Sequence, residues 1–116
     1  MNFREFLNEV VTDNAIEYVK RDLFKGKKLK NICKSFIKKF KGNSAFVGNV
    51  DYTEQELYDA VMTDIAEYTI NIAKKYKSGM GTMALNGSVD KFNVDVEELK
   101  AKIKEIAKDD VNGLLK

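Results

Sequence analysis

Apolar residues recur at helical spacing in several stretches of this chain. Phe3, Phe6, Leu7 and Val10 fall at i, i+3, i+4 and i+7, which gathers side chains on one helix face. Asn2 precedes them as a cap, with Glu5 three residues on, the arrangement of a capping box. Ile16, Val19 and Leu23 continue an apolar face as far as Gly26, a residue suited to the left-handed position beyond a helix end. The spacing predicts helix over 3–24, with Thr12-Asp13-Asn14 as a place where one helix stops and another is capped.

Leu29, Ile32, Cys33, Phe36, Ile37 and Phe40 follow the i, i+3, i+4, i+7 rule closely. They predict an amphipathic helix over 27–41, closed by Gly42. Residues 43–52 read as a loop or a short extended piece. Thr53-Glu54-Gln55-Glu56 is a second capping box. It opens a long helix, 54–77, with Leu57, Val61, Ile65, Tyr68, Ile72 and Tyr76 along one face. Acids crowd its first half and Lys74, Lys75 and Lys77 its end, as the helix macrodipole prefers. Ser78-Gly79-Met80-Gly81 is a break. Beyond it, Met83-Ala84-Leu85 and Ser88-Val89 flank Asn86-Gly87, a dipeptide typical of type I′ hairpin turns. Asp95 caps a last helix, 96–108, with Glu98 at the third position and Val96, Leu99, Ile103 and Ile106 as its stripe. The tail from Asp109 is expected to fray. The expected fold is therefore mainly α (α+β), with four to five helices and a small β-hairpin near 82–92. Residues 1–116 form a single domain in this reading, with Phe36, Ile37, Phe40, Val61, Ile65 and Ile103 in its core.

Composition sharpens this picture mainly through charge. The 116 residues are 44% hydrophobic and 33% charged, values of a folded chain rather than a disordered one. The net charge of +2 is an average over two opposed segments. Eight lysines and no acid lie between Lys25 and Lys41, whereas six acids and no base lie between residues 51 and 72. Lys27, Lys30, Lys34, Lys38 and Lys41 form a candidate basic face opposite Ile32, Cys33, Phe36 and Phe40. Glu54, Asp59, Asp64 and Glu67 form a candidate acidic face on the following helix. Three readings of the lysines stay open: a solvated or internally paired face, a contact for a polyanion, and a contact for a protein. The face has no arginine for reading base edges, and its neighbouring rings belong to the apolar stripe.

Candidate chemistry is sparse. With no histidine and a single cysteine, the usual catalytic triads and most zinc sites are excluded. Cys33 sits in an apolar stripe, where a thiol behaves as a small hydrophobe. The glycines around Met80 lack the phosphate-loop pattern. Asp64 and Glu67 share a helix face with too few companions for a magnesium site, and 90–98 lacks calcium-loop order. The expectation is a binding protein, not an enzyme, with no catalytic residues, metal or cofactor. Acids at the N-terminus speak against a signal peptide. No apolar run approaches a membrane span, so the cytoplasm is the expected location.

The order of these segments resembles the PcfK-like proteins of conjugative plasmids, integrative elements and phages of low-GC Gram-positive bacteria. The likeness rests on the cysteine-bearing helix KLKNICKSFIKKF and on a T-x-x-E-[IL]-Y motif, here Thr53, Glu56, Leu57 and Tyr58. It continues in a strand-like GSVDKFNV that turns into a helix opened by Asp95 to Glu98. Where the family carries Y-Y-D-E-D, this chain reads AEYTINIAKK. The resemblance implies a non-enzymatic accessory protein of a mobile element in a bacterial cell. Some proteins similar to this family are associated with inhibition of the nuclease Cas9. The leading expectation is accordingly an anti-CRISPR-like inhibitor that binds a nucleic-acid-guided defence nuclease, Cas9 or its ribonucleoprotein. The alternative is a conjugation or DNA-processing accessory that binds nucleic acid non-specifically through its lysine-rich helix. A homodimer built on Tyr68, Ile72 and Tyr76 is a third candidate.

Overall fold

A computed structural model describes residues 15–23, 25–40 and 53–115. The expectations for residues 1–14, the loop 43–52, Lys41, Gly42 and the side chain of Phe40 lie outside the described residues. Five helices are described: α1 at 15–23, α2 at Leu29–Phe40, α3 at Glu54–Lys75, α4 at Gly81–Phe92 and α5 at Val96–Ala107. A 3₁₀ turn follows at Val111–Gly113. Contacts divide the chain into two compact units, Met1–Ala60 and Val61–Lys116.

In the first unit, Ala15, Ile16, Val19 and Leu23 of α1 are buried, as are Leu29, Ile32, Cys33 and Phe36 of α2. The ring of Tyr18 meets that of Phe36 at 5.3 Å between centroids, which joins the two helices. Gly26 adopts φ 81°, and its N–H donates to the carbonyl of Leu23 at 2.9 Å. This is the glycine-dependent helix ending expected from the sequence. Ile37, expected in the core, is only half-buried. The capping box of α3 forms as expected. The Thr53 N–H donates to Glu56 Oε1 at 3.2 Å, and the Glu56 N–H to Thr53 Oγ1 at 3.1 Å.

In the second unit, the expected hairpin at 82–92 is not formed. Those residues are helix α4, and the strand-like reading of GSVDKFNV fails with it. The reason lies in a spacing that the Asn86-Gly87 signal masked. Gly81, Ala84, Leu85, Ser88 and Phe92 are buried at helical intervals, while Asn86 and Gly87 face solvent. Burial of that stripe outweighs the local turn preference, and Asn93 at φ 51° ends the helix instead. No strand occurs among the described residues.

The apolar face of α3 also differs from expectation. Leu57, Val61 and Ile65 are buried, but Tyr68 and Tyr76 are exposed and Ile72 is half-buried. The second half of α3 buries Ala66, Thr69, Ile70 and Ala73 instead. Small side chains there admit a close neighbour: Thr69 Oγ1 and Ser88 Oγ of α4 lie 2.6 Å apart, and Thr69 also donates to the Ile65 carbonyl at 2.8 Å. The contact leaves neither buried hydroxyl without a partner, where a lone one would be costly to bury. Asp95 caps α5 as expected, accepting from the Glu98 N–H at 3.0 Å. Leu99 and Ile103 are buried, and Ile106 is exposed.

The C-terminal segment does not fray. Leu114 is 0% exposed. Asn112 stands in the left-handed region and donates through Nδ2 to the carbonyls of Ala73 at 2.5 Å and Tyr76 at 2.8 Å. It caps the end of α3 from a distance in sequence, joining the Tyr76 N–H on the Ala73 carbonyl and taking up the Tyr76 carbonyl just past the helix end. Thr82 donates to the Gly113 carbonyl at 3.2 Å, and the Gly79 N–H to the Asn112 carbonyl at 3.1 Å. The tail is a strap over the α3–α4 junction.

Candidate basic surface

The basic face begins with what α2 must bury. Its apolar stripe commits Leu29, Ile32, Cys33 and Phe36 to the interior. The intervening residues are left outside. Lys30, Lys34 and Lys38 are all exposed, as is Lys27 just before the helix. Spaced four apart, the three helical lysines climb one face in steps of about 6 Å. Lys41, the remaining member of the expected set, lies outside the described residues.

Electrostatic partners are few on this face. Lys27 Nζ lies 3.8 Å from Asp22 Oδ2, and Lys25 Nζ 3.7 Å from Asp22 Oδ1. Both lysines are exposed and share one half-buried carboxylate, so the pairs are worth little. Among the described residues, none pairs with Lys30, Lys34 or Lys38. Lys27, Lys28 and Lys30 also crowd the start of α2, whose first turn carries no acid. Cations there oppose the positive end of the macrodipole.

The sequence-based set omitted two neighbours, Asn31 and Ser35. Both are exposed, four apart from each other and three before Lys34 and Lys38, so on the helix they form a row beside the lysine row. The omitted signal was this i, i+3 spacing to Lys34 and Lys38 on the polar side of the apolar stripe.

The acidic candidates are less uniform. Glu54, Asp59 and Glu67 are exposed and Asp64 is half-buried. Asp59 accepts from Gln55 Nε2 at 3.1 Å. Glu54 and Asp59 belong to the first unit, Asp64 and Glu67 to the second. Among the described residues, no three carboxylate or thiol groups gather closely enough to hold a metal ion.

Cys33 belongs to the buried stripe of α2 and is 0% exposed. Burial, with a smaller contribution from the Glu54 carboxylate, pushes its thiol from an ordinary 9.0 up to about 12. A thiol held so far from its thiolate is a poor nucleophile at neutral pH.

Tyr68, part of the candidate dimer face, is engaged within its own chain. Phe92 meets its ring edge-on at 5.5 Å, and Lys91 Nζ lies 4.7 Å over the ring and donates to its hydroxyl at 3.0 Å. No helix among the described residues is long and apolar enough to cross a membrane. The chain matches no protein-family model, no curated protein and no solved structure.

Proposed function

We propose that this chain is a non-enzymatic binding protein whose working surface is the lysine face of α2, and that it inhibits a nucleic-acid-guided defence nuclease by docking on the nucleic acid the nuclease holds. The observation that carries the reading is the exposed row Lys30, Lys34 and Lys38, without an acidic partner among the described residues. The resemblance to PcfK-like proteins supplies the setting: a mobile element confronting host defence, with Cas9 the leading candidate.

Inhibition by docking is stoichiometric and needs no turnover. Titrating the chain into purified Cas9 with guide and target should bring cleavage to an end point at a fixed molar ratio. Complementary charge acts mainly on association, so added salt should slow the onset of inhibition first. Full cleavage at a large molar excess of the chain discards the Cas9 assignment. The same surface favours a second reading, a DNA-processing accessory that works on free nucleic acid. Steeply salt-dependent binding to bare DNA without any effect on the nuclease selects that one.

A further inference from the structure

The row beside the lysines narrows the ligand. Asn31 and Ser35 place a neutral amide and a hydroxyl three positions before Lys34 and Lys38, on the same exposed side. Lysine, asparagine and serine are all among the side chains that contact phosphate and sugar in protein–DNA complexes. Three absences on the described face of α2 are equally informative. Phe36 is buried and no ring is exposed there, although single-strand binders depend on aromatic stacking. There is no arginine, the residue most used for specific base contacts. No large apolar anchor is exposed on it, although such anchors dominate the centre of protein–protein interfaces, where lysine is depleted. A helix of 12 residues spans about 18 Å, enough to follow several successive phosphates of one strand, at about 3.4 Å of axis each.

We infer that this face binds double-stranded nucleic acid through its phosphate backbone, without regard to base sequence. The inference rests on the reading of α2 as the working surface and adds the class of ligand.

Fluorescence anisotropy of the full chain tests it. The probes are two short labelled duplexes of unrelated sequence and a single strand from one of them, each across a salt series. The duplexes should bind alike, and the single strand several-fold more weakly. The plot of log affinity against log salt should lose about 0.9 of slope per lysine removed. Lys34→Gln should therefore flatten it by about 0.9, and the triple variant Lys30→Gln, Lys34→Gln, Lys38→Gln by about 2.7. These side chains are exposed, and unchanged circular dichroism checks that the variants fold. Preference for the single strand, preference for one duplex, an unaltered slope or no duplex binding each overturns the inference. Nuclease inhibition without duplex binding refutes it while leaving the proposed function standing. Duplex binding without inhibition does the reverse.

Discussion

Gly81 has no room for a side chain. A Cβ there would lie 2.7 Å from the Leu114 nitrogen, 2.7 Å from the Val111 oxygen and 2.8 Å from the Asn112 oxygen. All three are backbone atoms, so the strap itself would have to move. Gly81→Ala should destabilise by about 1–3 kcal/mol, the usual cost of overpacking. The urea midpoint should fall with an unchanged m-value. Cys33 makes a different kind of claim, about pH. Its folded value of about 12 exceeds the ordinary 9.0, so the unfolded chain loses the thiol proton first. The stability contributed by the neutral thiol is full below about pH 9 and is lost as pH rises toward about 12. Urea midpoints measured across that window should fall more steeply for the native chain than for Cys33→Ala. Parallel curves would mean the thiol is not held neutral by the fold.

Among the helices, α4 offers the sharpest test. Gly87 lies in its interior, and nothing lies within 4 Å of the position a Cβ would take. Alanine there adds helix propensity without a clash, so Gly87→Ala should stabilise by about 0.5–1 kcal/mol. In a type I′ hairpin the same change would destabilise, because that turn needs positive φ at this residue. The sign of the shift in urea midpoint decides between helix and hairpin. The sequence carried both signals, and the dipeptide was more conspicuous than the buried positions around it. By contrast α5 was legible almost to the residue. Its cap is made by Asp95 and Glu98 three positions apart, and such short-range chemistry does not depend on distant partners.

For the molecule taken together, net charge is a poor guide. A value of +2 conceals a lysine segment with no acid. If association with an anionic partner is steered by the local field of α2, position matters more than total charge. Lys34→Glu with Lys38→Glu should slow association with duplex markedly at low salt. Lys77→Glu with Lys104→Glu, exposed residues of the second unit, make the same change in net charge. They should leave the rate nearly unaltered. Stopped-flow rates for the two variants check this, and equal slowing would assign the attraction to net charge alone.

The residues of this chain specify, without help, whatever depends on neighbours a few positions away. The capping box at Thr53, the Asp95 cap, the glycine ending at Gly26, the amphipathic stripe of α2 and the exposure of Lys30, Lys34 and Lys38 are of this kind. Each follows from periodicity or from one local hydrogen bond. Tertiary packing decided the rest. It turned 82–92 into helix, because a buried stripe gains more from contact than a turn dipeptide gains from its preferred angles. It moved the buried face of the second half of α3 onto Ala66, Thr69 and Ala73, where a hydroxyl pair links the helix to Ser88. It also ordered the tail, because Asn112 finds the end of α3 at the carbonyls of Ala73 and Tyr76, 39 and 36 residues earlier in the chain. Partners that far apart leave no periodic trace, since what brings them together is the folded backbone.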